Sequence, residues 1–85
     1  MKSYTIQGVI QSIVNIPDHN NYGRTFKQRI TVIDEAGHLY RGTKSQDLVG
    51  ATVGSVVQFL ADIRPHLDSD IKFVFVRPRN GAILS

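Results

Sequence analysis

The sequence predicts an all-β domain: a five-stranded Greek-key barrel with a short helical connector between its third and fourth strands. Three observations lead there. Five runs rich in Val, Ile, Phe and Tyr are separated by clusters of Gly, Pro, Asn and Asp, the residues that make turns. The first run is longer than a usual strand, and its apolar residues change parity along the way. Only one segment carries helix signals, and it is short.

In the first run, YTIQGVIQSIVNI (residues 4–16), Tyr4, Ile6 and Ile10 share one parity while Val9 and Ile13 take the other. A strictly alternating strand cannot do this, whereas one that bends at Gly8 or carries a bulge nearby can, and by curving it can serve two sheet edges. PDHNNYGR is a loop by its turn chemistry. RTFKQRITVI alternates cleanly, with Phe26, Ile30 and Val32 on one face and Thr25, Lys27, Arg29 and Thr31 on the other. Asp34-Glu35-Ala36-Gly37 closes a hairpin, with Gly37 free to take positive φ. In the partner strand HLYRGT an inward Leu39 would put His38 and Tyr40 outward, beside Lys27 and Arg29.

KSQDLVGAT is the helical candidate, with Ser45 as its cap and Gly50 as its end. VGSVVQFLADI reads as a fourth strand buried on both faces or bending. After the loop RPHLDSD, IKFVFV is the fifth strand, ending where Pro78 removes a ladder donor. That division gives a domain over residues 1–79 and a C-terminal tail over 80–85. Phe59, Phe73 and Phe75 are expected in the core. Five short strands must protect their edges, and closing into a barrel does so best.

The chain has 85 residues, a formal charge of +3 and no cysteine. At this length folding buries only about 60% of the unfolded surface, so the core is small. Without cysteine there is neither a disulfide nor a thiolate metal site. The N-terminal residues lack the apolar region of a signal peptide, and no apolar run approaches the roughly 18 residues of a membrane span, so a soluble, cytoplasmic protein is expected. The charge is unevenly placed. Arg24, Lys27 and Arg29 fall in a stretch without acids, and Arg64, Lys72, Arg77 and Arg79 surround Asp68 and Asp70.

The order of elements resembles an OB-fold, the partly open barrel of many oligonucleotide-binding proteins. The residues that carry the resemblance are IQGVIQSI, with a glycine early in a curved strand, YGRTFKQRITVIDEAGHLYRGT, two strands joined by an acidic turn, and VGSVVQFLADI after the connector. It covers residues 4–77. The resemblance implies a ligand surface on the second and third strands, framed by the loops before the second and after the fourth. On this chain that surface would hold Tyr22, Arg24, Phe26, Lys27, Arg29, His38, Tyr40, Arg41, Arg64 and His66.

These residue types suit single-stranded DNA or RNA, which needs cations for its phosphates and flat faces for unstacked bases. Each also has an ordinary reading. Phe26 shares the parity of the core residues Ile30 and Val32, Tyr40 can be a cross-strand packing residue, and alternating Lys27 and Arg29 can simply keep a face soluble. Arg77 and Arg79 read as residues that solubilise an edge. Catalysis has little support: His19, His38 and His66 lie apart without metal-ligand spacing, adjacent Asp34 and Glu35 suit a turn, and no serine has a histidine–carboxylate context. No enzyme, metal or cofactor is expected. The alternative to nucleic-acid binding is a protein-interaction module or structural subunit, in which a partner or a second copy pairs with a strand edge.

Overall fold

The computed structural model describes residues 3–17, 26–65 and 72–85. It is a closed barrel of five strands in the order β1-β2-β3-β5-β4. The strands are β1 (Ser3–Pro17), β2 (Phe26–Ile33), β3 (Leu39–Thr43), β4 (Val56–Pro65) and β5 (Lys72–Ile83), with a 3-10 helix (Gln46–Leu48) between β3 and β4. Neighbours are antiparallel except β3 and β5, which run parallel. This is the five-stranded barrel with a short connector expected from the sequence; the parallel pair makes its sheet mixed, and its strand order is consistent with an OB-like fold.

The parity change in β1 has a concrete cause. The strand pairs with β4 from Ser3 to Val9 and with β2 from Val9 onward, so one chain serves two edges. Its register with β2 shifts between Ile10 and Ser12. The bulge lets Ile6 and Ile10 enter the core before it and Ile13 pack on the core after it. Gly8 marks the crossing, where an added Cβ would collide with the Ile33 carbonyl oxygen. Any side chain there would push β1 and β2 apart.

The core holds Ile6 and Ile10 from β1, Ile30 and Val32 from β2, Val57, Phe59 and Ala61 from β4, and Phe75 from β5. Leu48 and Ala51 join them from the connector, so the short helix acts as a plug. Its ends are those the sequence marks: the Ser45 hydroxyl accepts from the Asp47 N–H at 3.2 Å, and Gly50 takes φ 88°. Phe59 and Phe75 meet at 4.9 Å between ring centroids. Phe73 departs from the expected core role; it is half-buried and stacks on Tyr40 instead.

β5 does not stop at Pro78. Opposite β4 it advances from Val76 to Arg79 to Ala82 while its partner goes from Asp62 to Leu60 to Gln58, so it is bulged twice. Arg77 and Asn80 adopt φ 55° and 54° within these bulges, and Pro78 has no partner in the register. The proline is thus accommodated without a missing ladder bond, and the strand continues to Ile83.

Candidate functional site

In β2 the inward residues are Ile30 and Val32, which leaves Lys27 and Arg29 exposed and Thr31 on the outer side. Pairing then fixes their neighbours. Ile33 lies beside Leu39, Thr31 beside Arg41 and Arg29 beside Thr43. The parallel ladder sets Lys72 next to Leu39 and Val74 next to Arg41. On the other side of β2, Val14 flanks Arg29 and Ile16 flanks Lys27. The outer surface of β2, β3 and β5 is therefore built of cations, aliphatic side chains and threonines.

A groove of about 350 Å³ runs over it, lined by Arg29, Thr31, Leu39, Arg41, Lys72 and Val74, with Gly42 and Phe73 completing the lining. Among the described residues, none that lines it is acidic. Among the described residues, none of Arg29, Arg41 and Lys72 lies within salt-bridge distance of a carboxylate. A second cavity, of about 630 Å³, lies where β1 crosses beside the hairpin turn; its lining includes Asp34 and Glu35 and no cation. Only the first suits an anion.

The face of β3 is the reverse of the sequence expectation. Tyr40, paired with Val32, packs on the core, and Leu39 lies on the outer side with Arg41. The reason is Gly42. It follows Tyr40 on the inner side, where an added Cβ would lie 2.6 Å from the Phe75 carbonyl oxygen and 2.8 Å from its ring. A residue with no side chain hides the parity it obeys.

Tyr40 is held from two directions. Its ring stacks on Phe73 at 5.4 Å and an interplanar angle of 20°, and His38 meets the same Phe73 edge-on at 5.7 Å. Its hydroxyl donates to Asp34 Oδ2 at 2.9 Å. Asp34 also accepts from the backbone N–H of Ala36 and His38 through Oδ1, and its Oδ2 lies 3.3 Å from His38 Nδ1. The carboxylate thus organises the turn, the role its position suggests. Burial alone would raise its pKa, but the hydrogen bonds from the His38 backbone, Tyr40 and the His38 ring outweigh it and hold the carboxyl below its ordinary value. Burial, and then the bond to the Asp34 carboxylate, pushes the Tyr40 phenol up to about 12.

The other arginines are differently placed. Asp62, 4% exposed, sits on the outside of β4. Arg77 Nη1 approaches its Oδ2 at 3.5 Å and Arg79 Nη2 its Oδ1 at 3.6 Å. Arg79 also donates to the Arg77 carbonyl at 2.7 Å and to the Ser3 hydroxyl, which ties β1, β4 and β5 together. Their role is thus more than keeping an edge soluble.

Of the residues singled out in the sequence, Lys27, Arg29 and Arg41 share the outer face of β2 and β3. Exposed Arg64 stands opposite Val74 on β4, next to that face but outside the groove lining. His38 and Tyr40 belong to the aromatic cluster at the hairpin. Tyr22, Arg24 and His66, and the side chain of Phe26, lie outside the described residues. Sequence reasoning missed Lys72, Leu39 and Val74 as groove residues. The usable signal was the alternation of IKFVFV, which puts Lys72 and Val74 on one face; only the parallel pairing with β3 brings that face to Arg41.

Among the described residues no group of three or more His, Cys, Asp or Glu could hold a metal ion, and no helix is long and apolar enough to cross a membrane. No protein-family model, curated protein or solved structure matches the chain.

Proposed function

We propose that this chain is a non-catalytic protein that binds single-stranded DNA or RNA, with little sequence preference, through the outer face of β2, β3 and β5. The groove carries the reading: Arg29, Arg41 and Lys72 line it together with Leu39 and Val74, and among the described residues no acidic one joins them. A polyanion supplies the missing countercharge. A single strand is flexible enough to follow the curved outer face of a small barrel, which a stiff duplex cannot do without a bending cost. Tyr22, Arg24 and His66 extend the proposed surface on sequence grounds.

The test is fluorescence anisotropy of labelled oligo-dT, an RNA counterpart and a duplex at two salt concentrations. Single strands should bind more tightly than the duplex, and more weakly at the higher salt. The double variant Arg29→Ala/Arg41→Ala should lose about tenfold or more in affinity, by removal of two phosphate contacts, while melting at the wild-type temperature. No binding of any strand at low salt would sink the proposal.

A second reading has its own observation. Val49, Val53 and Leu84, around the connector and the end of β5, are 77%, 61% and 48% exposed. Apolar residues so exposed fit a protein-interaction module, with a partner or a second copy covering that end. It predicts an oligomer or complex that Val49→Ser dissociates and that Arg29→Ala/Arg41→Ala leaves intact. Sedimentation of the three proteins would decide it.

A further inference from the structure

Resting on the nucleic-acid reading, we infer that the strand lays its sugar-phosphate backbone, not its bases, against the barrel, along a diagonal row formed by Lys72, Arg41, Arg29 and Lys27. The row follows from the registers. Lys72 on β5 is level with Leu39 on β3, and Arg41 is two residues further along β3. Arg41 is level with Thr31 on β2, and Arg29 is two residues further along in the same direction, followed by Lys27. Each of the first two steps thus crosses one strand and advances two residues. With strands about 4.8 Å apart and two residues spanning about 6.8 Å, the first two steps are roughly 8 Å between Cα atoms and the last, along β2, about 6.8 Å.

Phosphates of an extended single strand are spaced at roughly twice the ~3.4 Å rise of a stacked one. The flexible stems of Lys and Arg absorb the small difference. All four side chains are exposed, so one cation can meet each successive phosphate. Buried Thr31 and exposed Thr43 border the row.

The aromatic side of the argument points the same way. Base stacking needs a free ring face on the surface. Of the aromatics beside the row whose side chains are described, Tyr40 has its hydroxyl on Asp34 and its ring on Phe73. Among the described residues, what flanks the row on its outer side is aliphatic, Val14, Leu39 and Val74, while Phe73, which also lines the groove, has its ring stacked on Tyr40 and met edge-on by His38. Binding should then be governed by the number of phosphates and be nearly blind to whether bases are present.

The experiment compares oligo-dT with an abasic strand of equal phosphate count, titrated across a salt series, for the wild type, Lys72→Ala, Lys72→Gln and Tyr40→Phe. Four phosphate contacts give a log–log salt slope of about −3, and loss of one reduces it by about 0.7. Both Lys72 variants should show that reduction, which charge removal causes whatever the replacement. Tyr40→Phe should bind like the wild type, and the abasic strand should bind within about threefold of oligo-dT, because no stacking is lost. An abasic strand weaker by more than about tenfold would mean that bases carry the affinity and would overturn the inference, while the nucleic-acid reading stands. An unchanged salt slope in both Lys72 variants, with oligo-dT still bound by the wild type, would also overturn the row. Failure of the wild type to bind either strand would overturn both.

Discussion

Two pairs of arginines on this barrel have opposite surroundings. Arg77 and Arg79 converge on one carboxylate whose side chain is 6% exposed, and Arg79 is further fixed by a backbone carbonyl and a serine. Arg29 and Arg41 stand on the outer face of β2 and β3, in a groove that no acidic residue lines among those described. The first pair closes the seam of β1, β4 and β5; the second leaves positive charge facing solvent. A guanidinium is always charged, so its role is set by what stands opposite it. Where a carboxylate does, the arginine is part of the fold, and where none does it can meet an anion from outside.

The strongest way to break this contrast is to remove the shared carboxylate. Asp62→Ala leaves two guanidiniums facing each other over a buried position and should cost about 2–3 kcal/mol, read by urea denaturation. A loss below about 0.5 kcal/mol would mean that the pair is as exposed in effect as its counterpart on the other face.

The hairpin offers an intermediate case, a carboxylate satisfied mainly by neutral donors. Asp34→Asn should cost about 1–2 kcal/mol at neutral pH. Because the folded-state pKa of Asp34 lies below its unfolded value, its contribution is present above about pH 4 and is lost as pH falls through the folded value. Stability curves of wild type and variant should therefore converge in acid. At the alkaline end the sign reverses. The Tyr40 phenol ionises at about 12, above its ordinary 10, so its contribution is full below pH 10 and is lost as pH rises through 12. The phenolate absorbance of the wild type should include a late component from Tyr40 that moves earlier in Asp34→Asn.

The smallest effect on stability, and the sharpest on function, comes from giving the open face a carboxylate of its own. Thr43 is exposed and opposite Arg29, so Thr43→Glu should form a cross-strand pair adding about 0.2–1 kcal/mol. The same change should weaken single-strand binding and flatten its salt dependence, measured by anisotropy. Unchanged binding would remove Arg29 from the proposed surface.

How much of this is legible in the chain differs from strand to strand. β2 can be read directly, because Ile30 and Val32 alternate with Lys27, Arg29 and Thr31. β3 cannot: with Gly42 on its inner face and Leu39 on its outer one, hydrophobicity points to the wrong side. The end of β5 misleads for another reason. Proline ends a regular ladder, but two bulges with positive-φ residues let the strand pass it.

Local properties can be read from the chain: five strands, a bent first strand, a glycine-ended hairpin turn and a serine-capped helical turn. These follow from periodicity and turn chemistry, which act over a few residues. Tertiary structure alone decided which charges meet. Asp62 finds Arg77 and Arg79 across the β4–β5 ladder, and Arg41 gains Lys72 as a neighbour through the parallel β3–β5 pairing. Alternation states which side of a strand a residue occupies, but its neighbour there depends on register and barrel closure, which are fixed by the packing of the whole core.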